Sequence, residues 1–116
     1  LTIGNNTRIN GADFNVHNGT KIEIGSGCLF STNIDVRTTD SHNIFNFDGE
    51  RINPDKNIHI GEHVWIGRMV SILKGAKIGN GSVIGSMSLV SGIIPNEVIA
   101  AGVPAKTIKE NITWKE

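Results

Sequence analysis

The chain has 116 residues, a length that fits one domain, and its 11 Lys and Arg residues balance its 11 Asp and Glu residues. This balance gives no electrostatic basis for binding nucleic acid, and the single Cys excludes a disulfide framework and a Cys-rich zinc site. The 18 Ile and 8 Val against 4 Leu favour short strands over a helical bundle, and the 14 Gly and 13 Asn suit tight turns.

The sequence contains no apolar run long enough for a membrane span and no signal-peptide pattern. We therefore expect a soluble, cytoplasmic protein with no membrane insertion. The chain starts at Leu1 without a Met, and Ile3-Gly4 already stands in the middle of a pattern, so we expect that residues upstream of Leu1 are missing.

Residues 1–40 place apolar residues at intervals close to six. A period of six is neither the 3.6 of a helix nor the alternation of a plain strand, so it predicts one short strand and one corner per six residues. The spacing slips from Ile9 to Val16 and from Ile22 to Ile24, where we predict small outward bulges. Cys28 falls at an inward position and is predicted to fill the core. The apolar positions are Ile3, Ile9, Val16, Ile22, Ile24, Phe30 and Val36.

Residues 41–57, with the sequence SHNIFNFDGERINPDKN, interrupt this pattern. They have no register of six and contain two of the four Phe residues of the chain. An insertion of this length in a compact domain is either functional or disordered, and Phe45, Phe47 and Ile52 indicate that it packs against something. We predict one extruded loop here.

Residues 58–103 repeat with a strict period of six. Every sixth residue is a β-branched aliphatic, and Gly follows four of the six, which are Ile60, Ile66, Ile72, Ile78, Ile84 and Val90. The residue four positions further on is small or β-branched each time, as in Val64, Val70, Ala76, Ser82, Ser88 and Ile94. Both sets are predicted to point inward in a stack of three-stranded coils, and the Gly residues to relieve the corners.

Residues 104–116 follow the last repeat. Ile108 and Ile112 are four residues apart, a spacing that places two side chains on one face of a helix. We predict a short C-terminal helix or tail over 104–116 that caps the open end of the stack. The whole chain, 1–116, is then a single domain.

The stretch IGEHVWIGRMVSILKGAKIGNGSVIGSMSLV from Ile60, followed by IPNEVIAAGVPAKTIK from Ile94, closely resembles the hexapeptide-repeat acyltransferases. The resemblance implies an all-β fold, the left-handed parallel β-helix, and a homotrimer with its active sites between subunits. It also implies acetyl-CoA as co-substrate and no metal. The loop sequence TTDSH followed by GERINP looks most like the bacterial capsule and O-antigen polysaccharide O-acetyltransferases, with the galactoside and maltose acetyltransferases also similar.

The same resemblance implies where the catalytic residues lie. His42 stands where the family has its general base, and a neutral imidazole accepts a hydroxyl proton near pH 7. Asp40 is placed to hold the tautomer of the His42 ring through a hydrogen bond. Trp65 is predicted to face outward, near the cleft between subunits. His17 is a competing base, because serine acetyltransferases carry a catalytic His in an early coil.

The acceptor site is implied by a second stretch. Ala12-Asp13-Phe14-Asn15 resembles an ANFN stretch that touches the acceptor hydroxyl in galactoside and maltose acetyltransferases, with Asp13 in place of Asn. Asp13 and Asn15 are therefore predicted to bind the acceptor, with Asn33 a further candidate. Whether Asp13 or Asp40 orients His42 stays open at this point.

The coenzyme site is implied along one groove. By resemblance, the pantetheine arm passes corner backbone amides near Gly67, Gly85 and Ser86, and Lys106 and Lys109 meet the nucleotide phosphates. No P-loop or dinucleotide motif is present.

Two alternatives in function stay open. The acceptor is predicted to be a sugar hydroxyl of a cell-surface polysaccharide or its precursor, attacked directly without a covalent acyl-enzyme, because Cys28 is assigned to the core. A free-sugar or xenobiotic O-acetyltransferase is the alternative within the same class. A catalytically inactive trimeric scaffold is the alternative from another class. The spacing of His59 and His63 does not reproduce the three-His zinc site of the γ-class carbonic anhydrases.

Overall fold

The computed structural model describes residues 1–116 and contains fifteen β-strands and no helix. The strands, in chain order, are β1 (Thr2–Ile3), β2 (Arg8–Ile9), β3 (Ala12–Asn15), β4 (Ile22–Ile24), β5 (Leu29–Phe30), β6 (Ile34–Arg37), β7 (Ile58–Ile60), β8 (Trp65–Ile66), β9 (Ser71–Ile72), β10 (Lys77–Ile78), β11 (Val83–Ile84), β12 (Leu89–Val90), β13 (Ile93–Ile94), β14 (Val98–Gly102) and β15 (Ala105–Glu110).

Each strand up to β11 pairs in parallel with the strand three places later, so three strands make one coil and each sheet is one face of a prism. Face 1 has the order β1-β4-β7-β10-β13, face 2 the order β2-β5-β8-β11-β14-β15, and face 3 the order β3-β6-β9-β12. Coils 1 to 4 are therefore β1–β3, β4–β6, β7–β9 and β10–β12, and coil 5 contains β13 and β14. Parallel pairing across long crossovers is what the period of six requires.

The predicted inward positions are confirmed. The six residues from Ile60 to Val90 at intervals of six are at most 1% exposed, and the six from Val64 to Ile94 are at most 5% exposed. Two of these inward residues are Ser, and both hydroxyls are satisfied: Ser82 Oγ donates to the Pro95 carbonyl at 2.6 Å, and Ser88 Oγ accepts from the Gly102 N–H at 3.0 Å. Cys28 is also in the core, as predicted, and burial raises the pKa of its thiol.

The glycines after the inward aliphatics serve a different purpose from the predicted one. Gly67 does not adopt a positive φ, but a Cβ there would lie 2.8 Å from both the Ile84 oxygen and the Ser86 nitrogen of the next coil. The left-handed corner residues come two positions later and include Met69, with φ 60°, and Gly81, with φ 73°. The prediction that the repeat glycines relieve the corners is therefore wrong: they let successive coils approach.

The extruded loop leaves the stack after β6 and returns at β7. Its outer part is a hairpin, because Phe45 and Arg51 form an antiparallel bridge and the Ile52 N–H donates to the Ile44 carbonyl at 2.8 Å. Phe45 and Ile52 are more than half exposed, and Phe47 at the tip is fully exposed. Within one chain, these side chains therefore lack the packing that the sequence predicted for them.

The predicted C-terminal helix over 104–116 is wrong. Residues Ala105–Glu110 instead form β15, which pairs antiparallel with β14 after the chain reverses at Gly102, where φ is 107°. An unpaired β14 would leave its outer N–H and C=O groups without partners, and β15 supplies them. The spacing of Ile108 and Ile112 was misleading, because β15 ends at Glu110 and Ile112 lies beyond the left-handed bend at Asn111, so the two residues do not share one element.

The close approach of the coils gives a stability prediction. A Cβ at Gly79 would lie 2.5 Å from the Asn96 nitrogen and 2.7 Å from the Pro95 carbonyl carbon, whereas a Cβ at Gly92 meets nothing within 4 Å. We expect Gly79→Ala to lower the free energy of unfolding by about 1–3 kcal/mol, as overpacking does, and Gly92→Ala to change it by less than about 0.5 kcal/mol. Chemical denaturation of both variants measures this. Equal stability of the two would contradict the proposed role of the coil spacing.

Candidate active site

His42 lies near the start of the extruded loop, just after residues 38–40, where the chain leaves the stack and which we call the root of the loop. The His42 ring makes no hydrogen bond within the chain. The backbone around it is fixed: the Asn53 amide donates to the His42 carbonyl at 2.9 Å, and Ser41, with φ 71°, donates its N–H to the Thr39 hydroxyl at 3.1 Å. The imidazole is therefore exposed, held at its backbone, and free at both ring nitrogens.

Asp40 contacts groups other than the His42 ring. Its Oδ2 atom accepts from Lys74 Nζ at 2.6 Å and from Asn53 Nδ2 at 3.0 Å. The Lys74 and Asn53 hydrogen bonds hold the pKa of the Asp40 carboxyl below its ordinary value. Asp40 is thus connected to His42 through Asn53, which donates to both residues, and no direct hydrogen bond to the ring is present.

Lys74 and Asn53 hold the two ends of the extruded loop together. The sequence predicted no role for either residue. Lys74 Nζ also donates to the Pro54 carbonyl at 2.9 Å, so one ammonium binds the outgoing and the returning ends of the loop. Asn53 is only 7% exposed, and its Oδ1 accepts from the Ile44 N–H at 2.7 Å. Asn53 lies in the GERINP stretch and Lys74 in the repeat that starts at Ile60, but neither stretch indicated these contacts, because the partners are distant in sequence.

His17 makes the direct contact with a carboxylate that was predicted for His42. His17 Nδ1 lies 2.8 Å from Asp55 Oδ2, and the Asp55 side chain is only 12% exposed. Asp55 also accepts from Arg51 at 3.1 Å and from the Thr39 hydroxyl. The Thr39 hydrogen bond, with help from Arg51 and His17, holds the pKa of the Asp55 carboxyl below its ordinary value despite the opposing effect of burial.

The acceptor candidates lie on coils 1 and 2. Asp13 and Asn33 line one groove of about 330 Å³ at the corner between faces 2 and 3. Asn15 lies at the other end of β3, close to the loop root, because its carbonyl accepts from the Thr38 N–H at 3.0 Å. Asp13 and Asn15 are both exposed on the outer side of face 3. The structure thus joins Asp13 with Asn33 and places Asn15 nearer to His17 and the loop.

Gly67, Gly85 and Ser86 stack at the same corner, on higher coils. Gly67 donates its N–H to the Ile84 carbonyl at 2.8 Å and Gly85 donates to Ala100 at 2.9 Å, so both amides are used within the stack. The Ser86 N–H, in contrast, donates to no group of the chain. Lys106 pairs in register with Ala101 above Gly85, and Lys109 pairs with Ile99. Both lysines are exposed on β15.

Trp65 is on the outer side of face 2 and is 40% exposed, in agreement with the outward orientation predicted for it. It belongs to a row of outward apolar residues that are paired in register across the coils. We call this row the apolar stripe, and its members are Leu29, Trp65, Val83 and Ile99.

The remaining histidines do not form a metal site. No group of three or more His, Cys, Asp and Glu side chains is placed to hold a metal ion. The His63 ring lies against Trp114, and His59 is exposed on face 1. No helix with the length and hydropathy of a membrane span is present.

Comparison with known proteins adds to this geometry. The family pattern described as “Bacterial transferase hexapeptide (six repeats)” matches residues 57–92. The chain is 45% identical to the polysialic acid O-acetyltransferase of Escherichia coli O1:K1 / APEC and 44% identical to that of Neisseria meningitidis, in each case over 98% of the chain. The chain spans 38% of the length of the first relative and 54% of the second.

Two solved structures share the fold. The polySia specific acetyltransferase NeuO superposes with a TM-score of 0.91 and 44% identity, covering 98% of this chain and 53% of that one. A galactoside acetyltransferase in complex with coenzyme A superposes with a TM-score of 0.71 and 31% identity, covering 91% of this chain and 56% of that one. These likenesses confirm the predicted left-handed parallel β-helix.

The two perturbed carboxylates predict how the loop responds to acid. Both titrate at lower pH in the folded protein than the ordinary 3.8, so their stabilising effect is complete above that value and is lost as the pH falls below it. We expect the melting temperature of the wild type to fall more steeply as the pH is lowered below about 4 than that of the Asp40→Asn, Asp55→Asn double variant.

Asp48→Asn is the matched control, because Asp48 lies at the loop tip and its carboxylate forms no ion pair. Its pH profile should follow that of the wild type. Parallel pH profiles for the wild type and the double variant would show that these carboxylates do not support the fold.

Proposed function

The chain belongs to the hexapeptide-repeat acetyltransferases, and on that premise we propose that it is the catalytic region of an acetyl-CoA-dependent O-acetyltransferase. The acceptor is a sugar hydroxyl of a cell-surface polysaccharide or its precursor, in the class of polysialic acid. The observation that carries this proposal is the match, over 98% of the chain, to two proteins named for the O-acetylation of polysialic acid.

His42 is the proposed general base. Its ring is exposed and free of hydrogen bonds, so it can reach an acceptor hydroxyl, and its backbone is held by Asn53. The ring nitrogen takes the hydroxyl proton as the oxygen attacks the thioester carbonyl of acetyl-CoA. The tetrahedral intermediate then collapses, the C–S bond breaks, and the proton returns to the departing thiolate. Asn53 and Asp40 act as positioning residues for the loop segment that carries the base.

Attack is direct in this proposal, without a covalent acyl-enzyme. Cys28 is the one thiol of the chain, is 2% exposed, and has a raised pKa because it is buried. It therefore lacks both the access and the thiolate character of a nucleophile. Among the corner amides, the free Ser86 N–H is the proposed donor to the coenzyme, because the Gly67 and Gly85 amides already donate within the stack.

His17 is the second candidate base, and one observation favours it. Its Nδ1 is 2.8 Å from a nearly buried carboxylate, the arrangement that orients an imidazole in many hydrolases. The same Asp55 carboxylate also binds Arg51 and Thr39, which are loop and root residues. We assign the His17–Asp55 pair to anchoring the loop, and His42 to the chemistry.

We assign the binding of the acceptor and of the coenzyme to polar and charged residues that are exposed on the outer faces. Asp13, Asn15 and Asn33 are proposed to bind sugar hydroxyls through their oxygens and amides. Lys106 and Lys109 are proposed to bind the coenzyme phosphates as point charges. We further propose a homotrimer with its sites between subunits, because Phe45 and Phe47 of the loop are more than half exposed in one chain and the apolar stripe lies on an outer face. A cytoplasmic location is part of this proposal, since acetyl-CoA is made there.

The alternatives differ in what they acetylate. A free-sugar or xenobiotic acetyltransferase would release CoA with monosaccharides or small alcohols as readily as with a sialic acid polymer. A trimeric scaffold would release no CoA with any acceptor. An acceptor screen that follows free thiol separates the three.

The first test of the mechanism compares histidines. We expect His42→Ala to lower kcat about 10²–10⁴-fold with a sialic acid polymer, as loss of a general base does. His17→Ala should lower it less than about tenfold, through a loosened loop, and His59→Ala, on the exposed side of face 1, should have wild-type activity. If the largest loss instead follows His17→Ala, the roles of the two histidines are reversed.

The second test concerns the coenzyme phosphates. We expect Lys106→Ala to raise the KM for acetyl-CoA about three- to tenfold with little change in kcat, because a phosphate contact is lost equally from the ground and transition states. Lys77→Ala, an exposed lysine on face 1, is the matched control. Initial rates at varied acetyl-CoA measure both. An unchanged KM for the Lys106 variant would remove this residue from the coenzyme site.

A further inference from the structure

The last six residues, Asn111–Glu116, run back along the stack at the corner between faces 1 and 2, and we call them the C-terminal strap. The strap starts at a left-handed bend at Asn111, with φ 57°. The Ile112 N–H then donates to the Glu97 carbonyl of coil 5 at 3.1 Å. At its far end, Glu116 forms an ion pair with Arg8 of coil 1. The strap thus spans the stack from its last coil to its first.

The strap is fixed midway by a close contact with His63. The Trp114 indole stacks on the His63 imidazole with ring centroids 3.9 Å apart and planes within 3° of parallel. Two hydrogen bonds join the same residues: Trp114 Nε1 donates to the His63 carbonyl at 2.8 Å, and His63 Nε2 lies 2.9 Å from the Trp114 carbonyl. Trp114 is only 9% exposed, so the strap is docked there.

The docked indole also contacts Trp65. The two indole rings are 6.0 Å apart and tilted by 46°, a favourable geometry for an aromatic pair. Trp65 is 40% exposed on the outer side of face 2, where Leu29 and Val83 flank it in register but no other aromatic ring contacts its indole. Trp114 is therefore the aromatic neighbour that limits where the Trp65 indole points.

From this contact we propose that Trp114 is a positioning residue that sets the orientation of Trp65 for acetyl-CoA. The inference rests on the proposed function and on the place near the cleft between subunits that the family resemblance implies for Trp65. Trp65 is on face 2, two residues before Gly67, and Gly67 begins the corner between faces 2 and 3 where Gly85 and Ser86 also lie. The strap contacts the Trp65 indole from the other side of face 2, at the corner with face 1. The strap, which contains no residue predicted to bind substrate, acts on the donor site through this one aromatic pair.

A double-mutant cycle tests the proposal in the full-length protein, with acetyl-CoA and a sialic acid polymer as substrates. We expect Trp114→Ala to raise the KM for acetyl-CoA about three- to tenfold, the size of one aromatic contact, with kcat changed less than about twofold. In a Trp65→Ala background, adding Trp114→Ala should change the KM by no more than about twofold, because the residue through which it acts is gone. Trp114→Phe keeps a ring on His63 and should recover most of the affinity.

Two further measurements separate positioning from simple stabilisation. Trp114→Phe should remove the near-ultraviolet circular dichroism that arises from coupling of the Trp65 and Trp114 rings, with its melting temperature monitored alongside. Glu116→Gln is the matched control, because the Arg8–Glu116 pair is in the same strap, is more than half exposed at both side chains, and contacts neither indole. It should have wild-type KM. If Trp114→Ala does not fold, the cycle is run with Trp114→Leu, which keeps an apolar side chain but has no ring.

The outcomes separate the inference from the proposed function. A wild type that acetylates no acceptor overturns the proposed function, and this inference with it. An active wild type in which the Trp65 and Trp114 effects simply add, or in which Glu116→Gln raises the KM as much as Trp114→Ala, overturns the inference alone.

Discussion

The stacking distance between coils is the constraint on which the rest of the structure depends. Parallel hydrogen bonds set one coil directly above the next, and where the backbones meet closely there is no room for a Cβ, as at Gly67 and Gly79. The inward aliphatics can stack in register only because the coils approach in this way. The repeat of six residues in the sequence follows from this geometry, because it fixes only the inward and closely spaced positions. The outward positions can therefore vary and can hold binding or catalytic residues.

The proposed base, the residues that hold it and the proposed phosphate-binding lysines lie outside that repeat. The loop between β6 and β7 supplies His42, Asn53 and Asp55, none of which belongs to a coil. The hairpin of β14 and β15 adds Lys106 above Gly85 and Lys109 beside Ile99 of face 2. Regular coils thus act as a scaffold, and the irregular segments carry the proposed base and the proposed phosphate-binding lysines.

The repeat was the part of the fold that could be predicted, because each inward position is determined by residues six apart in the chain. The tail was predicted wrongly, since Ile108 and Ile112 have the spacing of a helix face, whereas the open edge of β14 is paired by a strand that ends at Glu110, before Ile112. The polar contacts of the site could not be predicted either, because their partners are distant in the sequence. His17 meets Asp55 across the loop and Lys74 meets Asp40 across a coil, and no local spacing encodes such pairs. Asp40 accordingly has partners that differ from the predicted one.

The double attachment of Lys74 has a consequence for how such an enzyme diversifies. One ammonium binds Asp40 where the loop departs and the Pro54 carbonyl where it returns, so the two ends are fastened together at the surface of the stack. The hairpin beyond His42 and Asn53, from Ile44 to Ile52, can therefore change in length or sequence without altering either coil, and doubling a loop adds only about 0.6 kcal/mol of closure entropy. In the proposed function, this hairpin is the part of the loop that can vary while the base stays in place.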